Sequence, residues 1–94
     1  MTQLKRFMIE REIPAIGQMS AAELCGAARA SNEALEQIGT GIQWIQSYVA
    51  RDKTFSIYLA DSEATIRKHA ELSGIPVAAV TEVPQVIDPL TAKS

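Results

Sequence analysis

Along residues 4–11 the chain alternates, with Phe7, Ile9 and Arg11 on one side of an extended backbone and Met8 and Glu10 on the other. This predicts a first strand, closed by Pro14 and Gly17. The period then changes. Ser20 with Glu23 three residues on spells a capping box, and Ala21, Leu24, Cys25, Ala28, Leu35 and Ile38 draw a helical stripe that Gly39-Thr40-Gly41 ends. Ile42 to Val49 and Thr54 to Ala60 read as two more strands. The short polar turn Ala50-Arg51-Asp52-Lys53 between them suits an antiparallel hairpin. Asp61 or Ser62 caps a second helix carrying Ile66, Ala70 and Leu72, which Gly74 and Pro76 close. A fourth strand runs from Ala78 to Val83, and Pro84, which cannot donate to a ladder, puts its end at a sheet edge. Residues 86–94 follow as a C-terminal tail that needs a surface to lie on.

Strand, helix, strand, strand, helix, strand is the order of an α+β, ferredoxin-like βαββαβ fold. Right-handed crossovers place both helices on one face of a four-stranded antiparallel sheet. Residues 1–94 make one such domain. Successive side chains on a strand point opposite ways, so each sheet face can be read separately. Phe7, Ile9, Ile45, Val49, Phe55, Ile57, Leu59 and Val83 form the more apolar set and are expected beneath the helices. Met8, Glu10, Ile42, Trp44, Gln46, Tyr48, Ser56, Tyr58, Val80 and Glu82 are then expected on the face the helices leave bare. That mixture of rings, carboxylates and amides suits an interface, and a large exposed apolar patch is poorly tolerated in a monomer. A second copy packing sheet to sheet would cover it and enclose a lumen, making a dimeric α/β barrel.

Composition narrows the function classes. The formal net charge is −2 with both signs interspersed, which argues against a nucleic-acid footprint. No run of 18 or more apolar residues is present, and the first six residues lack the apolar stretch of a secretion signal, so no membrane association and a cytoplasmic location are expected. Cys25 is the single cysteine, which removes any intrachain disulfide or multi-cysteine zinc site and fits a reducing compartment. Its place in the helical stripe suggests a small core filler.

No nucleophile, base and acid set stands out, nor a Gly-rich phosphate loop, nor a metal-spaced His or Cys cluster. The candidates are the residues expected on the bare face. Glu10 and Glu82, on strands that should be neighbours, can chelate a divalent cation, share a proton, or pair with Arg6 or Arg11. Tyr48 and Tyr58 can hydrogen-bond a ligand or pack in an interface, and Trp44 suits an interface anchor. His69, the single histidine, is expected partly buried and hydrogen-bonded on the helix side. Arg67 between Glu63 and Glu71 reads as a solvated ion-pair row, and Asp52 and Lys53 serve the hairpin turn.

The ordered series Met8-Ile9-Glu10-Arg11, Trp44-x-x-Ser47-Tyr48-Val49-x-x-Asp52-Lys53, Tyr58-x-Ala60, Ile66-Arg67-x-His69-Ala70, Gly74-x-Pro76, Glu82-Val83 and Ile87-Asp88-Pro89-x-Thr91-Ala92 resembles a family of small bacterial proteins. That domain-of-unknown-function family includes a nickel-binding, ferredoxin-like homodimer, and the resemblance spans nearly the whole chain. It implies a non-catalytic binding protein that holds nickel, another divalent metal or a small ligand between the sheets of a homodimer. Glu10, Gln46 and Glu82 are then the metal candidates, with Trp44, Tyr48, Ser56 and Tyr58 completing a ligand-binding set. The family pattern commonly has His where Gln46 stands and Cys where Ser56 stands. The exchange of imidazole and thiolate for weaker donors lowers the expected affinity for nickel. The alternative is a small dimeric α/β-barrel enzyme of oxygenase or isomerase type, working through lumen carboxylates and tyrosines, which rests on fold analogy.

Overall fold

In the computed structural model, which describes residues 3–93, the capping box forms as expected: the Ser20 hydroxyl accepts from the Glu23 amide and the Glu23 carboxylate accepts from the Ser20 amide. It launches helix α1, Ala21–Ile38, and Gly39 ends it. Met1, Thr2 and Ser94 lie outside the described residues, and with them the first positions of the expected signal-free start and the last of the expected tail. Strand β1 is Lys5–Glu12, β2 is Ile42–Val49, β3 is Lys53–Ala60 and β4 is Ala79–Glu82. Helix α2, Glu63–Ser73, starts at Ser62, whose hydroxyl accepts from the Thr65 amide, and stops at Gly74 in the left-handed conformation. Short 3-10 turns occupy Ile16–Gln18 and Pro89–Lys93. All pairings are antiparallel in the order β2-β3-β1-β4, so β4 is an edge strand, where Pro84 costs no ladder bond.

Both helices cover one side of the sheet. The core there gathers Phe7 and Ile9 from β1, Tyr58 and Ala60 from β3 and Ile66 from α2. Leu35, Ile42, Trp44, Val77 and Val80 pack against it. The loop after β1 docks on the β2–β3 turn: the Ile13 amide donates to the Asp52 carbonyl, the Gly17 amide to the Arg51 carbonyl, and the Ala15 amide to the Asp52 carboxylate.

The expected division of the two faces is corrected on three strands. Cross-strand partners share a face, and Phe7 pairs with Tyr58 and Ile9 with Ser56. Thr54, Ser56, Tyr58 and Ala60 therefore lie beneath the helices, while Phe55, Ile57 and Leu59 face the other way. Both faces of β3 carry apolar side chains, and ranking them by hydrophobic bulk selects the larger set, whereas the helices sit over the smaller one. On β2 a bulge between Trp44 and Gln46 shifts the register, so Ile42 and Trp44 lie on the helix side while Gln46 and Tyr48 lie on the open side. Ile45, expected in the core, sits at the bulge and is exposed. On β4, Val80 pairs with Ile9 and Glu82 with Phe7, which puts both on the helix side, with Glu82 exposed at the edge. Cys25 and Leu72 are exposed as well, because the buried line of α1 runs through Ala34 and that of α2 through Ile66, His69 and Ala70.

Candidate ligand-binding site

The open face keeps part of the expected site. Glu10, Gln46 and Tyr48 lie on it, as do Met8, Phe55, Ile57 and Leu59, through the pairings Met8 with Ile57, Glu10 with Phe55 and Tyr48 with Phe55. Their polar groups are already engaged. Glu10 accepts from the Lys53 ammonium at 2.8 Å, and the Gln46 amide donates to the Tyr48 hydroxyl at 2.7 Å. That bond to Glu10 raises the Lys53 pKa above its ordinary value. Trp44, Ser56, Tyr58 and Glu82 are absent from this face, so neither the seven expected ligand residues nor the three expected metal donors form one set.

Three of the displaced residues reappear on the helix side around a cavity of about 290 Å³, bounded by the sheet, both helices and the loop after β1. Its apolar walls include Ile13, Ile16, Met19, Leu24 and Ile75. Trp44 and Tyr58 stack with ring centroids 6.5 Å apart. The Trp44 indole donates to the Ser47 hydroxyl at 3.0 Å, and the Ser47 and Ser56 hydroxyls meet at 2.6 Å. The small side chains at Ser47, Ser56, Ala27 and Ala28 leave the space between sheet and helix unfilled.

Two titratable groups also line the cavity. His69 is 1% exposed, tilted against the Tyr58 ring with centroids 5.3 Å apart. Its Nε2 lies 3.2 Å from the Ser31 carbonyl oxygen and 3.3 Å from the Ser31 hydroxyl. A carbonyl oxygen only accepts, which assigns the ring proton to Nε2. Burial, reinforced by the positive charge of Arg11 against the opposing Ser31 bond, holds the His69 pKa below its ordinary value of 6.5, so the ring is neutral near pH 7. Ser31 and His69 resemble a nucleophile and its base, but a nitrogen that carries a proton toward a carbonyl cannot take one from the hydroxyl.

Arg11 is 5% exposed, its guanidinium carbon 5.9 Å from the Tyr58 ring centre and its Nε without a hydrogen-bond partner. Among the described residues no carboxylate pairs with it. The sequence did carry a signal for this group, because alternation along β1 puts Arg11 on the same side as Phe7 and Ile9. A charge in phase with the core was the clue. Ser31 and Ser47 carried none.

The other expectations resolve simply. His69 is buried and hydrogen-bonded, Arg67 pairs with Glu63 at 2.9 Å in the solvent, and Asp52 ties the hairpin turn to the loop after β1. Among the described residues no helix is long and apolar enough to cross a membrane.

No curated protein matches the sequence. The crystal structure of SCO4226 from Streptomyces coelicolor A3(2) superposes with a TM-score of 0.69 at 20% identity, over 87% of this chain and 99% of that one. At that identity the likeness speaks for the fold, which it shares over nearly the whole of both chains. The model of the nickel responsive protein SCO4226-like family matches residues 7–83. The chain belongs to the SCO4226-like family of nickel responsive proteins.

Proposed function

We propose that this chain is a non-catalytic binding protein that works as a homodimer and holds a small organic molecule in the cavity beneath its helices, one in each copy. The observation that carries the reading is the cavity itself. It is near the lower end of the size range of ligand pockets, roughly 300 to 1,000 Å³, and combines apolar walls with a few convergent polar groups as such pockets do. Its chemistry favours holding over turnover, because the His69 proton is committed to a carbonyl and Glu10, a carboxylate of the open face, is paired with Lys53. Trp44, the single tryptophan, lines the cavity and reports on it. A saturable change in its fluorescence with small aromatic ligands, lost when Ala28→Leu fills the space, is the expected result. A response that Ala28→Leu leaves intact would refute the seat.

The open face supports the dimer. Met8 and Tyr48 are 39 and 57% exposed there, with Phe55, Ile57 and Leu59 half-buried among them, and Ile45 at the β2 bulge is 42% exposed. Nothing else in the described chain covers that face. Val86, Ile87 and Leu90 of the tail are likewise exposed, which suits an arm laid over a neighbour. Glu10 and Lys53 share the face, so a two-fold arrangement can set the acid of one copy against the base of the other. Ile57→Lys is expected to turn a dimer into a monomer in sedimentation velocity at micromolar concentration. A parent that already sediments as a monomer would refute it.

The donors of a single chain do not fit nickel. Among the described residues no group of three or more His, Cys, Asp or Glu side chains comes together. The one histidine is buried near a positive charge, and Glu10, Gln46 and Glu82 do not meet. The family's description as nickel responsive therefore supports the binding class of this protein, while the seat in this chain suits an organic ligand better than a metal cage.

A further inference from the structure

We infer that the cavity beneath the helices takes a small organic anion, a carboxylate on an apolar body, with Arg11 as its counter-charge. The inference rests on the reading of the cavity as the ligand seat and names the ligand class. A guanidinium is charged at any pH the protein meets, and burying it without a partner is unfavourable. Folded chains accept such a charge when a pairing group is supplied from within or from outside. Within the described residues no carboxylate is supplied: the Arg11 Nε is buried and unpartnered, and the guanidinium carbon lies 5.9 Å from the centre of the Tyr58 ring. Both opposite charges of β1 are spent elsewhere or point elsewhere, since Glu10 is held by Lys53 on the open face and Glu12 is exposed.

The surroundings favour an anion over other occupants. The neutral His69 ring adds no charge of its own, and among the described residues the cavity wall holds no Asp or Glu. A cation would meet Arg11 with nothing to offset it. The planar fork of a guanidinium matches a carboxylate through two parallel hydrogen bonds. Ser31 on α1 and Ser56 and Tyr58 on β3 all line the cavity, and their hydroxyls can donate to a second acceptor on the ligand. The stacked pair Trp44 and Tyr58 offers a flat apolar flank, so an aromatic or short aliphatic acid fits better than inorganic phosphate, which has no apolar body to bury.

The test titrates the full chain with benzoate, phenylacetate and butyrate, each beside its neutral amide, and with inorganic phosphate, following Trp44 fluorescence and the melting temperature. At least one acid is expected to bind saturably, at least about tenfold tighter than its amide, through charge-assisted bonds. Arg11→Met keeps the apolar stem and removes the charge. It is expected to erase the difference between acid and amide while melting no lower than the parent, because a buried unpaired charge is gone. Acid and amide binding equally in the parent would overturn the anion and leave the cavity reading standing. An absence of any saturable response would overturn both. Should Arg11→Met fail to fold, Arg11 holds the structure rather than a ligand, unless Arg11→Lys folds and keeps the preference for acids, which sustains the inference. Saturation by phosphate alone overturns the organic class.

Discussion

Gly17→Ala tests how the wall of the cavity is built. Gly17 sits in the loop that carries Ile13 and Ile16 into the cavity, and its amide donates to the Arg51 carbonyl at 2.9 Å. A Cβ at this position would lie 2.7 Å from the Ala50 carbonyl oxygen and 2.9 Å from the Arg51 Cα, where ordinary contact begins at 3.4 Å. Both obstructing atoms are backbone, so the clash cannot be relieved by a side-chain rotation. The loop must back away from the β2–β3 turn. Overpacking of this kind costs about 1 to 3 kcal/mol, and weakening the Gly17 hydrogen bond adds about 1 kcal/mol. The lower entropy of the unfolded alanine chain returns about 0.5 to 1 kcal/mol. The net loss is on the order of 2 kcal/mol, which lowers the melting temperature of a domain this size by roughly 8 to 16 °C. Gly26→Ala is the matched control. Gly26 lies inside α1 with nothing within 4 Å of an added Cβ. There the same substitution improves helix propensity and raises the melting temperature by about 2 to 8 °C. Both are read by circular dichroism at one protein concentration, since a dimer's melting point depends on concentration. If Gly17→Ala melts with the parent, the loop does not dock on the turn and the cavity loses that wall.

Acid destabilisation should begin early. The folded pKa of His69 is depressed and the unfolded chain regains 6.5, so below pH 6.5 the unfolded state binds a proton that the native state refuses. Stability therefore falls as pH drops through that window, by up to about 1.4 kcal/mol per unit, and is untouched by this residue above it. Urea midpoints at pH 7.5 and 5.5 should differ for the parent and far less for His69→Gln; equal losses in the two would clear His69 of the effect. Glu23 does not confuse the comparison, because its pKa is lowered from 4.5 and it titrates below this range. Calorimetry with nickel near neutral pH is expected to give no saturable heat, and a heat that Glu10→Gln abolishes would return the seat to the space between two sheets.

The order of elements, the caps and the turns were legible from residues close together in the chain, because helix starts, glycine stops and hairpin turns are local chemistry. Ser20 with Glu23, Gly39 after Ile38 and Gly74 after Ser73 are such cases. Which face of β3 meets the helices was not legible, since Thr54, Ser56, Tyr58 and Ala60 compete with Phe55, Ile57 and Leu59 and only the pairing with β1 decides between them. The bulge at Ile45 moves half of β2 to the other face, and no residue there announces it. The site moved with those two choices. Alternation did place Arg11 with the core, but only the tertiary structure leaves its charge without a partner beside an open space, because partnership and volume depend on residues far apart in the chain.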